Sequence, residues 1–488
     1  MRVRYFFIIL LISFFYLSAE ETVLLKSDDL NIKKSGCSVN SFYKIKRSSF
    51  YAVKTDNADN TLKCFRNLRD VSHVFKDDLL KIEYKNDKTD PYLQNQWHLK
   101  NTGQTGVAGN DSKVIEALNY IKSMGLKPGA GVKIGIIDDA FDVHHPDMEG
   151  KFLIGYDVID GDDYPYIDEN EPHGTCVSGV IAAVYNNGIG VAGACPECKI
   201  VPVRASDKLG QTEKMAEAFN YLLDRGVHII SNSWGPTDGG GAVEMPEVIS
   251  EIIHNARTEE RDGAGVVIFF AAGNGNESIS DSETFDGFAA SPDVIAIGAV
   301  NASGVRSSYS DFGPDLDFLA PSSDIDAGYV WDPYATDMTL DGIWTIDSRS
   351  YYGYFQTDYT ASFGGTSSAT PLASAVAGLL ISVYPQITWD ELYDILKRSA
   401  DKVSPGDAEY SDSGFSKYYG YGRINAYEAV KLLCSEKNCA GGLENIDEDV
   451  YFSYNLDIDP DGDADTEYND DSIIPDEIET GGCNIIIF

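Results

Sequence analysis

Positive charge is what this sequence is shortest of. Its 488 residues carry 38 Lys and Arg against 77 Asp and Glu, a formal net charge of −39, and no basic residue follows Lys437. So acidic a chain repels phosphate backbones and anionic lipid. That argues against nucleic acid or acidic membranes as partners and leaves calcium, a saline exterior or cationic substrates. Cysteine is scarce at eight residues, and Cys195-Pro196-Glu197-Cys198 has no second CxxC, which favours a loop disulfide over a zinc site. The apolar run at residues 5–17 is too short to span a bilayer comfortably. With Arg2 and Arg4 before it and Ser18-Ala19 after it, residues 1–19 read as a signal peptide, hence export to a compartment where disulfides survive. No Cys stands at that cleavage point, which argues against a lipoprotein.

What is present falls into segments of different character. Residues 20–88 are Lys-rich, strand-like at 50–54 and 79–84 and helix-like at 61–68; a small α+β unit with a Cys37–Cys64 bridge is expected. From Asp90, apolar strands at 132–137, 199–203, 228–231, 266–272 and 294–300 alternate with helical patterns at 114–124, 174–184, 212–224 and 243–257. Strands apolar on both faces, alternating with helices, predict an α/β fold built on a doubly wound parallel sheet. Active residues in such folds gather beyond the carboxyl ends of the strands, where Asp138 and Asn274 stand. Residues 322–361 are an insertion rich in Asp and Tyr, expected near the cleft. Cys434 and Cys439 are expected to staple the end of the domain at residue 439, and Cys176 to be a buried free thiol. The tail at 440–488 is acidic and too poor in apolar residues to fold alone. Its Asp457-Ile458-Asp459-Pro460-Asp461-Gly462 run opens like a calcium loop, but Tyr468 occupies the twelfth position where an acid is needed, so a disordered spacer is expected. Cys483 near its end is a candidate for surface or membrane attachment.

The chemistry centres on Gly364-Gly365-Thr366-Ser367-Ser368-Ala369-Thr370-Pro371, a glycine turn leading into a small-residue helix. Ser367 is expected in the first helical turn, where unpaired N–H groups favour developing negative charge. Pro371 is expected within that same turn, where its missing N–H is not needed. Taken alone, this stretch also fits an ordinary buried helix. His173 before Gly174-Thr175 would likewise pass as a capping residue, and Asp138 as a turn residue. Together they supply the three groups acyl transfer requires, since a serine hydroxyl is a weak nucleophile until a base oriented by a carboxylate removes its proton. Asn274 adds an amide donor for an oxyanion. A cysteine nucleophile at Cys176 would leave the Gly-Thr-Ser turn unexplained.

The segments Ile137-Asp138-Asp139, His145-Pro146-Asp147, His173-Gly174-Thr175, Ala272-Gly273-Asn274 and Gly365-Thr366-Ser367 resemble the subtilisin-like serine proteases, in that family's chain order, over roughly residues 90–433. The resemblance implies Asp138 as orienting acid (Asp139 being its neighbouring rival), His173 as general base and acid, Ser367 as nucleophile and Asn274 as oxyanion donor. Ser233-Trp234-Gly235 is similar to the substrate strand of the kexin and furin branch, without that branch's following β-domain. There Asp238 and Asp286 would face the first specificity pocket and favour basic residues, or else be plain turn aspartates. Calcium is implied twice: at Asp90, Asp147, Val184, Asn187, Ile189 and Val191, and at Asp238, Asp281 and Asp311. The family further implies that residues 20–88 are a propeptide, assisting folding and blocking the cleft, with Lys85 or Lys88 as self-cleavage points and residues 89–439 as the catalytic domain. The function expected is a secreted or cell-surface, monomeric serine endopeptidase acting on proteins or peptides. Its rival is a catalytically silent binding or adhesion protein on the same scaffold.

Overall fold

The structure is a computed structural model, and it describes residues 89–439 apart from 167–170, 325–341, 350–352, 356 and 405, together with 21–26, 39–44, 50–55, 57–66 and 73–76. The signal peptide, the strand expected at 79–84, Cys37, Lys85, Lys88, and the tail with Cys483 lie outside the described residues. The chain divides into two units, residues 1–86 and 87–488.

In the first unit β1 (Glu21–Lys26), β2 (Ser41–Lys44), β3 (Phe50–Thr55) and β4 (His73–Lys76) form an antiparallel sheet in the order β2-β3-β1-β4. Helix α1 (Ala58–Arg66) starts earlier than the periodicity predicts because Asn57 caps it, its Oδ1 accepting from Asn60 N at 3.0 Å. Cys64 is disulfide-bonded.

The second unit is organised by a seven-stranded parallel sheet. Its strands are β5 (Lys133–Asp138), β6 (Tyr156–Asp157), β7 (Lys199–Arg204), β8 (Ile229–Asn232), β9 (Val267–Ala271), β10 (Ile295–Val300) and β11 (Phe318–Pro321), in the order β11-β10-β9-β8-β5-β7-β6. The central strands β8, β9 and β10 are buried at every position, which explains why they read as continuous apolar runs rather than alternating ones. Both edge strands escaped the sequence reading: β6 is two residues long, and β11 ends on Pro321, tolerated because an edge strand need not donate on both sides.

The α-helices of the described part of the unit are α2 (Val114–Ser123), α3 (His173–Ala182), α4 (Thr212–Asp224), α5 (Glu247–Thr258), α6 (Gly365–Val383), α7 (Trp389–Ser399) and α8 (Ala426–Glu436). Helix α5 begins after Pro246, not at the expected residue 243. Val243 is instead held as extended chain, its N donating to Phe285 O and its O accepting from Gly287 N, both at 2.8 Å. The buried α6 packs on α3, β8, β9, β10 and β11, and its small residues make that approach possible. Gly378 is one such place, since a Cβ there would stand 2.9 Å from the Cys198 sulfur of the Cys195–Cys198 disulfide. Cys434 and Cys439 are also bonded. Pro371 departs from expectation: it is the seventh residue of α6, beyond the first turn, and its missing N–H would have bonded Ser367 O. Ser233 Oγ donates to that oxygen instead, at 3.0 Å.

Candidate active site

Strand β5 ends on Asp138 and helix α3 opens on His173, and the two side chains meet with Nδ1 2.7 Å from Asp138 Oδ1. A carboxylate accepts here, so Nδ1 carries the hydrogen and Nε2 keeps its lone pair. That Nε2 is buried without a hydrogen-bond partner, so its lone pair is open to accept a proton. Asp139 lies close by but hydrogen-bonds backbone and not the ring: its Oδ1 accepts from Gly174 N at 2.6 Å and its Oδ2 from His173 N at 3.0 Å. Of the two acids that the sequence left open, Asp138 is the one hydrogen-bonded to the imidazole.

Burial pulls the His173 pKa down, but attraction to Asp138, their hydrogen bond and the charge of Asp139 outweigh it and leave it raised. Burial and the neighbouring Asp138 push Asp139 up to about 7. A general base must be neutral, so a rate that depends on His173 rises with pH through that elevated pKa.

Ser367 is the third residue of α6 and 1% exposed. Its Oγ donates to Ser233 O at 3.4 Å. Asn274 lies alongside: its Oδ1 accepts from Thr366 N at 2.8 Å and from Thr366 Oγ1 at 3.2 Å, so the amide NH₂ points the other way. Gly365 adopts φ +70° against it, and a Cβ there would stand 3.3 Å from Asn274 Oδ1. The Phe363 ring stands edge-on to His173, centroids 5.5 Å apart. The Trp234 indole N–H donates to Ile137 O at 3.0 Å, which ties the Ser233-Trp234-Gly235 segment to the strand that delivers Asp138.

Beside these groups is a small cleft lined in part by Trp234, Gly235, Asp238, Gly273 and Asp286. Asp286 is 8% exposed; its Oδ1 accepts from Phe288 and Ala289 N–H groups at 2.8 and 3.1 Å, and its Oδ2 lies next to Gly235. Burial raises its pKa to about 6. Asp238 Oδ1 accepts from Asn274 N at 3.1 Å, so this acid braces the Asn274 backbone as well as lining the cleft.

Two groups of acids could hold a cation. Asp90 accepts from Asn186 N at 2.7 Å and Gly188 N at 3.2 Å. Asp147 accepts from Asn187 Nδ2 at 2.7 Å and Val191 N at 2.9 Å, and its backbone oxygen accepts from Val184 N at 2.8 Å. Both acids are buried, and burial chiefly raises both pKa values, that of Asp147 to about 7. The Asn187 oxygen accepts from Ile189 N at 2.9 Å, closing the loop. Two neighbouring buried carboxylates gathered around one loop suit a hard cation such as Ca²⁺. The second group joins Asp238, Glu277 and Asp311 within 4.8 Å of one another. Asp281, expected there, is not among them; it is exposed and turns the chain, its backbone oxygen accepting from Thr284 N at 3.1 Å. Glu277 takes the third place, and its only sequence signal was one more acid after Asn274 in an acid-rich loop. Burial, with Asp238 and Glu277 nearby, pushes Asp311 up to about 8.

A model of the Subtilase family matches residues 129–422. The chain belongs to the subtilase family. It is 38% identical over 358 residues to a calcium-dependent protease of Trichormus variabilis, covering 69% of this chain and 51% of that one. It is 31% identical over 352 residues to a dibasic-processing endoprotease of Yarrowia lipolytica, covering 70% and 34%. This subtilase thus spans about half the length of the first relative and a third of the second. Among solved structures, the serine protease of Aeromonas sobria with its chaperone superposes with a TM-score of 0.60 at 25% identity, covering 72% of this chain and 68% of that one. A protease of Pseudoalteromonas arctica gives 0.54 at 25% identity, covering 71% and 99%.

This subtilase also has a separate two-stranded hairpin that periodicity did not reveal, β12 (Ile343–Ile346) with β13 (Tyr359–Phe363), which starts inside the expected insertion and ends just past it. It packs on α3, Thr345 Oγ1 donating to Cys176 O at 2.8 Å, and β13 runs directly into the Ser367 turn. Ser348 Oγ lies 2.9 Å from Thr175 Oγ1, and Arg349 pairs with Asp142 through Nε at 2.7 Å and Nη2 at 2.9 Å. Cys176 is a free, fully buried thiol whose pKa is driven well up by burial and by Asp347, which disfavours the thiolate there.

Proposed function

We propose that this subtilase is an exported, calcium-dependent serine endopeptidase made as a zymogen, cutting after basic residues. The observation carrying the reading is the Asp138–His173 pair with an open Nε2 lone pair, on the same sheet rim as Ser367 and Asn274. Ser367 Oγ attacks the peptide carbonyl while His173 Nε2 takes its proton. Asp138 holds the Nδ1–H tautomer and stabilises the imidazolium. The Asn274 amide, with the Ser367 backbone N–H, receives the oxyanion. His173 then returns its proton to the leaving amine, and water repeats the cycle to free the acyl group. Residues 20–88 act as the propeptide, ahead of a catalytic domain at 89–439. The dibasic-processing name of one relative and the calcium-dependent name of another support the two finer parts of this reading.

A basic P1 side chain is attributed to Asp286. Its two N–H bonds fix the carboxylate, and an arriving guanidinium meets a charge that burial has made costly to leave unpaired. Digestion of a peptide library, with cut sites read by mass spectrometry, should place Arg or Lys before the cut. Asp286→Asn should lower kcat/KM for those sites by about 10- to 100-fold while sparing others. Cuts after apolar residues in both proteins would refute the assignment.

Asp90, Asp147, Asn187 and the carbonyls of Val184, Ile189 and Val191 would hold the first calcium, which supplies positive charge that relieves two buried acids. Asp238, Asp311 and Glu277 would hold a second. Chelation is expected to lower Tm on the order of 10 °C from a state with calcium at about a thousandfold excess over Kd, about 4 kcal/mol of linkage. Asp147→Asn should shrink that calcium-dependent shift. A melting curve indifferent to calcium would remove the metal from the reading.

A further inference from the structure

We propose that Asp139 is a positioning residue for the general base: by accepting the two leading N–H groups of α3 it fixes where that helix starts, and so holds the His173 ring against Asp138. The inference rests on the triad reading and deepens it.

The first turn of a helix leaves N–H groups without intrahelical partners, and the residue before the helix ordinarily supplies an acceptor. Pro172 precedes α3 and has no side-chain acceptor. Asp139 fills that place from another element, the end of β5, with Oδ2 on His173 N at 3.0 Å and Oδ1 on Gly174 N at 2.6 Å. Gly174 makes the reach possible: a Cβ there would stand 2.6 Å from Ala140 O and 3.0 Å from Asp138 Cβ, so the helix start is pressed onto residues 138–140. The two adjacent aspartates therefore divide the work, one holding the imidazole and one holding the backbone that carries it. A negative charge at a helix N-terminus is favoured by the macrodipole, which offsets part of the cost of two neighbouring carboxylates. The groups facing Asp139 electrostatically are Asp138 and His173, with the Cys176 thiol buried behind them.

The test compares Asp139→Ala, which removes both acceptors, with Asp139→Asn, which keeps one oxygen and turns a donor toward the other N–H. Both are assayed in the full chain for kcat and KM across pH. In Asp139→Ala kcat should fall by about 100-fold, the cost of a small misplacement of a catalytic group, with a smaller loss in Asp139→Asn and little change in KM. In both, the acid limb of the profile should move to lower pH, since His173 loses a neighbouring negative charge. If Asp139→Ala does not fold, the acid limb of Asp139→Asn decides. A raised KM with unchanged kcat and an unmoved limb would make Asp139 a substrate contact and overturn the proposal, as would wild-type behaviour in both variants. Ser367→Ala, assayed alongside, separates the two levels: if it stays active the triad reading itself fails. If it is dead while the Asp139 variants behave as wild type, only the positioning role fails.

Discussion

Ser367→Ala is expected to leave a folded chain that no longer cuts peptides, with kcat lower by about 10⁶-fold. That is the scale of the corresponding loss in subtilisin, a member of this family. In the proposed mechanism Oγ is the atom that forms the acyl bond; without it His173 and Asn274 could only assist water. One buried oxygen is lost, so the melting temperature should hardly change. A fluorophosphonate probe should label the wild type and not the variant, whereas a silent scaffold would take no label in either. If the propeptide is removed by the enzyme itself, the variant should accumulate as precursor, and N-terminal sequencing of the wild type should find a start after Lys85 or Lys88. A variant that still hydrolyses at a substantial rate would sink the mechanism.

Asp138→Ala should cost about 10⁴-fold in kcat, again on the scale known for this family. In the proposed mechanism Asp138 Oδ1, 2.7 Å from Nδ1, selects the Nδ1–H tautomer and stabilises the imidazolium. Asp139 is not expected to substitute for it, because both its oxygens are engaged by N–H groups of α3 and Ala140. The pH profile offers a second readout. The raised pKa of His173 depends on Asp138, so its removal should let burial dominate and shift the acid limb to lower pH. An unmoved limb would mean that another group governs the protonation.

Much of this was legible in order along the chain. The central strands were readable because burial on both faces demands unbroken apolar runs, and α3 and α6 because small residues follow a glycine turn. The edge strands and the β12–β13 hairpin were not, since two to five residues hold too little periodicity to stand out. Asp281 and Glu277 differ by four positions in one acidic loop, and composition cannot say which one folds toward Asp238.

The residue types needed for acyl transfer, their order and the fold that carries them were set by the chain itself, because apolar spacing and small-residue turns are local properties. Direction was not. Which of two adjacent aspartates faces the imidazole, what takes over the hydrogen bond that Pro371 cannot make, and which way the Asn274 amide points depend on partners distant in the chain. Hydrogen bonds are directional, and their partners are chosen only once the sheet has brought those segments together.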